Sequence, residues 1–172
     1  MIGFSNAESR SVAFLKEDRM QVVIDRLTIN DAPLVFDWVM RLLTELGEEG
    51  EELGILDEEG VLRAWRERGD HFHIFVAKNT AGEILGMLTL NETFAIYANG
   101  NYGVIDEMYV APEYRSAGVG GQLIAAMKAF GMQKGWRRID VTAPEAERWQ
   151  RTRRFYERQG FVFTGPKLKL IL

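Results

Sequence analysis

A single mixed α/β domain is the fold class that this sequence predicts, on three observations. Runs with apolar residues at alternate positions are interleaved with runs at helical spacing. Taken in order, they read β-α-α-β-β-β-α-β-α-β. The 172 residues suit one domain, and at 47% hydrophobic and 27% charged the chain can fill a core unaided by disulfides.

Residues 1–20 read as an N-terminal extension, frayed or an expression remnant, and the domain proper spans 21–172. Residues 21–29 alternate, with Val22, Ile24 and Leu27 apolar, and predict a strand. Asn30, Asp31 and Pro33 supply helix-start signals. Leu34, Val35, Trp38, Val39, Leu42, Leu43 and Leu46 then recur at helical spacing until Gly47. Residues 48–59 are acidic and broken by glycine, and 61–68 predict a short helix ended by Gly69. Two strand-like runs, 71–77 and 83–93, flank a hairpin signal at 78–82. A loop near 97–101 leads to a third run, 103–110.

After a turn over 111–117, residues 118–134 predict a helix with the stripe Val119, Leu123, Ile124, Met127 and Phe130. Residues 139–141 make a short strand. Pro144 marks the start of a last helix, with Glu145 and Glu147 early and Arg153, Arg154 and Arg158 late, which suits the helix dipole. Gly160 ends it, and 161–172 read as one or two closing strands. The partly alternating tail, 168–172, suggests an edge strand able to pair across a homodimer.

The net charge of -4 hides an asymmetry. Residues 1–113 hold nine Lys and Arg against 21 Asp and Glu, whereas 114–172 hold twelve against four. An anion for the C-terminal third and a cation for the rest would explain the split; chance segregation of solvated surface is the alternative. The chain has no cysteine, so disulfides, thiolate metal sites and acyl-cysteine intermediates are excluded. No apolar run approaches the ~20 residues that span a bilayer, and the expected location is the cytoplasm, away from membranes.

The most informative stretch is 104–121, a strand, a tight turn of small residues and an amphipathic helix. Successive N–H groups at such a turn, with the positive end of the helix dipole, bind phosphate oxygens. Gly118, Gly120 and Gly121 would let an anion approach backbone that a Cβ blocks. Arg115 would add a cation. A P-loop needs Gly-Lys-Ser/Thr, but the helix opens Gly121-Gln122-Leu123. A dinucleotide fingerprint would need glycine where Leu123 stands.

Arg115-Ser116-Ala117-Gly118-Val119-Gly120 resembles the R/Q-x-x-G-x-G/A acyl-CoA pyrophosphate loop of the GNAT superfamily of N-acetyltransferases. Phe155-Tyr156-Glu157-Arg158-Gln159-Gly160-Phe161 resembles that family's tyrosine-bearing last helix, and Trp136–Val141 the strand between. The element order fits from about residue 21 onward. The resemblance implies a twisted mixed sheet flanked by helices, with acetyl-CoA as co-substrate. One departure concerns the last helix, where Trp149 stands at the position of a frequent CoA-contacting asparagine.

The resemblance also implies direct acetyl transfer to an amine, and the lack of cysteine favours attack within a ternary complex. Glu107 is the candidate general base, through a water, with an exposed strand carboxylate as the competing reading. Strand alternation turns Asp106 to the opposite face unless a bulge intervenes. Tyr156 is the candidate general acid to the leaving thiolate; the competing reading is a packed aromatic. The N–H of Val110 would polarise the thioester carbonyl, and the edge formed by Met108, Tyr109 and Val110 would pair with the pantetheine arm. Ser116, Ala117, Gly118, Val119, Gly120 and Gly121, with Arg115, complete the expected cofactor site.

Residues 45–59 hold eight acids and no base, either an acidic lip that gathers a cationic acceptor or a solvated loop. Tyr97 and Asn91 are further candidates for the acceptor side. His71 and His73 share a strand face but lack an evident third ligand, so no metal is expected. The basic stretch 148–158 is read as serving the 3′-phosphate of CoA, since the chain's overall charge argues against nucleic acid. The sequence thus predicts an acetyl-CoA-dependent N-acetyltransferase acting on a small cationic amine, polyamine- or aminoglycoside-like. The alternatives are a protein N-terminus or lysine as acceptor, or a non-catalytic acyl-CoA sensor.

Overall fold

The computed structural model describes residues 21–47, 56–142, 147–165 and 170. Five strands form one sheet in sequence order: β1 (Val23–Leu27), β2 (Phe72–Lys78), β3 (Ile84–Ala95), β4 (Gly100–Val110) and β5 (Ile139–Val141). The first three pairings are antiparallel and β4/β5 is parallel. The helices are α1 (Ala32–Leu46), α2 (Glu58–Arg68), α3 (Val119–Gln133) and α4 (Gln150–Arg158).

Local chemistry accounts for the element ends. Thr28 and Asp31 form a capping box on the short 3-10 turn that leads into α1, and Pro33 occupies its first turn. Asp57 accepts a hydrogen bond from Gly60 N at 3.0 Å, and Glu58 and Glu59 add negative charge at the N-terminus of α2. In the β2–β3 hairpin the Asn79 side chain accepts from the N–H groups of Ala81 and Glu83, both at 3.0 Å.

The sheet carries a core on each face. On one side Leu85, Leu88, Leu90 and Ile105 meet Leu123, Ile124 and Met127 of α3 and Tyr156 of α4. On the other, Ile74, Val76 and Met87 pack against Val35 and Trp38 of α1. Each fully buried Leu or Ile contributes roughly 1.5–3 kcal/mol.

Three sequence expectations change. His71 lies in a 3-10 turn before β2, not on a strand face with His73. Residues 161–165 form no strand, and most of the tail lies outside the described residues, as do the acidic residues 48–55. The helix expected from Pro144 begins at Gln150; Glu147 sits in the 3-10 turn before it, and 143–146 lie outside the described residues.

The feature that positions the site is the short reach of β5. It pairs with β4 only at Gly103, Val104 and Ile105, yet β4 continues to Val110. Among the described residues no strand pairs with the outer edge of the last five residues of β4.

Candidate active site

A cleft of about 580 Å³ opens at that edge, walled by β4, the N-terminus of α3, α4 and the last turn of α1. Ala111 N–H reaches back to Leu85 O on β3 at 3.0 Å. Alternation along the strand then turns the N–H and C=O of Val110 the other way, toward the cleft, and those of Met108 likewise. The edge expected at Met108, Tyr109 and Val110 is present. Tyr109 differs from its neighbours in that its backbone faces β3 and its ring packs edge-on against Trp38 at 5.8 Å.

At the loop, Ser116 and Gly118 both adopt positive φ, 65° and 86°. Nothing lies within 4 Å of where a Cβ on Gly118 would stand, so this glycine leaves open space at the helix N-terminus. The first turn of α3 has no side-chain cap. Its N–H groups remain available to an anion, as the phosphate-loop reading requires. Ala117 is exposed and the Val119 side chain is buried in the core, so neither side chain walls the cleft. Gly120 has a different purpose from the one the sequence suggested: a Cβ there would stand 3.1 Å from the Phe155 ring and 3.3 Å from Met108 Cε. Its smallness admits α4. A Cβ on Gly121 would meet only the end of Gln159, at 3.8 Å.

Arg115 lines the cleft and is engaged within the protein. Its Nε donates to Val110 O at 2.8 Å, and its Nη2 pairs with Glu45 of α1 at 2.6 Å. The guanidinium lies 5.3 Å over the Tyr109 ring. Arg151 of α4 reaches the loop and donates to Ser116 Oγ at 2.9 Å. Arg158, Trp149 and Thr152 of the same region also line the cleft.

The acids occupy a bulge. Leu88 pairs with Met108 but Leu90 with Ile105, so Asp106 and Glu107 together oppose Thr89. Thr89 Oγ1 accepts from Glu107 N at 3.0 Å and donates to the Glu107 carboxylate. Asn91 Nδ2 donates to Asp106 Oδ2. Thr89 and Asn91 share one face of β3, so the bulge brings both carboxyl groups to that face. Asp106, expected on the opposite side unless a bulge intervened, lines the cleft, and Glu107 is not among the lining residues. Burial pushes the Glu107 carboxyl above the usual carboxylate range; the Thr89 bond opposes this and the Asp106 charge adds to it.

Tyr156 is 7% exposed, with its hydroxyl 3.6 Å from Met108 Sδ on the cleft wall. Burial drives its phenol well above the usual range, so it holds its proton at neutral pH. A larger hollow of about 620 Å³ lies behind α4; it shares Tyr156 but holds none of the loop residues, so the chemistry belongs to the first.

The remaining candidates separate. Asn91 is held between Asp106 and Arg68, which donates to its Oδ1 at 3.2 Å. Tyr97 does not line the cleft: it bonds Tyr102 at 3.0 Å beneath Arg138. His73 is buried and bonded to Arg26 at 2.8 Å, while His71 stands 4.0 Å from Glu92. Among the described residues no three His, Asp or Glu groups are placed to hold a metal, and no helix is long and apolar enough to cross a membrane. Sequence reasoning passed over Thr89 and missed the pairing partner of Arg115. Thr89 did leave a signal, as the one hydroxyl within the apolar run 84–90.

The acetyltransferase (GNAT) family model matches residues 35–161, and the chain belongs to that family. An uncharacterized N-acetyltransferase, YhfO of Bacillus subtilis (strain 168), is 26% identical over 103 residues, 60% of this chain and 66% of that protein. A Clostridium acetobutylicum predicted acetyltransferase, solved with acetyl-CoA, superposes with TM-score 0.72 at 17% identity, covering 88% of this chain and 96% of the other. An aminoglycoside acetyltransferase from an uncultured soil metagenomic sample, solved with sisomicin, gives TM-score 0.71 at 20% identity over 88% and 96%.

Proposed function

We propose that this chain transfers an acetyl group from acetyl-CoA directly to a primary amine of a small cationic molecule. The observation that carries this is the carboxyl pair Asp106–Glu107, set by the bulge beside the free N–H groups of Met108 and Val110. A structural neighbour, an aminoglycoside acetyltransferase, was solved with sisomicin, and such a molecule supports this acceptor class.

Acetyl-CoA supplies a thioester whose carbonyl carbon accepts the amine nitrogen and whose sulfur leaves. The free N–H groups at the start of α3 and the space beside Gly118 suit its pyrophosphate. The N–H of Val110 stabilises the charge that develops on the carbonyl oxygen. Asp106 attracts the acceptor's ammonium to the cleft wall; Glu107, through a water, takes the proton that the ammonium must lose before its nitrogen attacks, and the second proton, shed as the amide forms, restores the one that Tyr156 gives up. Burial suits Glu107 to this, because a base works best when its pKa approaches the working pH. Tyr156 donates its proton to the departing thiolate. Positioning both substrates in one cleft supplies much of the acceleration.

Thermal melting with acetyl-CoA, CoA, ATP and NAD in parallel, then a free-thiol assay over polyamines, aminoglycosides and peptides, tests this reading. A ligand at 100 times its Kd should stabilise by about 2.7 kcal/mol. A shift with acetyl-CoA and thiol release with a small amine support it. A shift without any responding amine points to a sensor, response to peptides alone points to a protein acceptor, and no shift overturns it.

A further inference from the structure

The pairing of Arg115 with Glu45 joins two elements that a two-substrate enzyme has reason to couple. Glu45 lies in the last turn of α1, which lines the cleft, and the two residues are 70 apart in sequence. α1 has no basic residue in its own last turn, so Arg115 also supplies the cation that a helix C-terminus favours. Both side chains are about one-third exposed, at 32% and 33%.

Val110 is the second half of the observation. Its N–H and C=O both point into the cleft. Left bare, that carbonyl would hold a partial negative charge beside the N–H that is to receive the thioester oxygen. Arg115 Nε caps it at 2.8 Å while Nη2 is held by Glu45. The fork of the guanidinium allows both at once, and the ring of Tyr109 lies beneath it.

We infer that Arg115 is a positioning residue and not a phosphate ligand: anchored by Glu45, it caps the Val110 carbonyl and fixes the residue whose N–H meets the thioester. Glu45 in turn acts through Arg115, tying the acceptor-side helix to the donor edge. The pyrophosphate is left to the backbone of α3 and to Arg151. This rests on the proposed acetyl transfer.

The test compares the wild type with E45Q, R115Q, R115K and the E45Q/R115Q double variant. Acetyl-CoA binding is measured by calorimetry at 50 and 300 mM NaCl, and kcat and KM with the best amine from the acceptor panel. Melting without ligand verifies folding. A strut predicts acetyl-CoA Kd within about threefold of wild type in all variants, with unchanged salt dependence. It also predicts that kcat falls at least tenfold in R115Q, that R115K does not restore it, and that the double variant is no worse than R115Q. A phosphate ligand predicts the reverse: R115Q loses tenfold or more in affinity with a weaker salt dependence, and R115K recovers it; that pattern overturns the inference. So does an E45Q variant with unaltered kcat, which remains decisive if the Arg115 variants fail to fold. Absence of acetyl-CoA binding by the wild type would instead count against the acetyltransferase reading.

Discussion

The Tyr156 hydroxyl lies 3.6 Å from the thioether sulfur of Met108, a weak acceptor, in an otherwise apolar setting between α4 and β4. A phenol so placed has no strong protein partner to surrender when it gives up its proton. Tyr156→Phe should therefore lower kcat by about 10²-fold or more while leaving acetyl-CoA Kd within threefold. Stopped-flow thiol release and calorimetry on the same variant check both halves. An unchanged kcat would make Tyr156 a packing residue.

The carboxyl pair predicts a pH profile. A base must be ionised to act, and burial raises the Glu107 pKa, so kcat/KM should fall with acidity around a midpoint above the ordinary value of about 4.3. Glu107→Gln should remove that limb and most of the rate. Asp106→Asn should raise KM for the amine more than it lowers kcat.

The overall plan was legible because apolar spacing reports which face of an element is buried. Leu123, Ile124 and Met127 on α3 and the continuous, largely apolar run of β2 needed nothing beyond the local chain. The glycine turn and the helix after it were legible because they are contiguous in sequence. What stayed hidden depends on partners remote in sequence. The bulge at Asp106 is set by the register against Thr89, the direction of Arg115 by Glu45, and the need for Gly120 by Phe155. Alternation counted along β4 alone therefore put Asp106 on the wrong face.

Two loop glycines should fail in different ways. Gly118→Ala forces a Cβ into left-handed backbone, at a cost of about 1–2 kcal/mol, and fills the space beside the α3 N-terminus, so acetyl-CoA affinity should fall. Gly120→Ala crowds the Phe155 ring and should cost about 1–3 kcal/mol of stability. Adding Phe155→Leu should relieve Gly120→Ala and leave Gly118→Ala unimproved. Paired denaturant melts and titrations separate the two.

His73 should make stability depend on pH. Burial, with Arg26 and Lys134 nearby, lowers its pKa from 6.5 to about 4. Between those values the unfolded chain binds a proton that the folded imidazole refuses. Stability from this group is thus complete above about pH 6.5 and is lost as pH falls toward 4. Glu107 acts in the opposite sense, since its raised pKa favours the folded state at low pH. Urea midpoints from pH 4 to 8 should show a slope that His73→Gln reduces and Glu107→Gln steepens.

The parting of β4 from β5 divides the two substrates between two kinds of chemical vocabulary. The donor would be read by peptide groups, which every residue carries and which no single side-chain replacement erases except at a glycine such as Gly118. The acceptor would be read by Asp106, Leu42 and Leu46, side chains of the cleft wall that can be exchanged one at a time. A lineage built this way can exchange one amine for another without relearning its thioester. Libraries randomised at Leu42, Leu46 and Asp106 should yield variants with new acceptors far more often than variants that have lost acetyl-CoA.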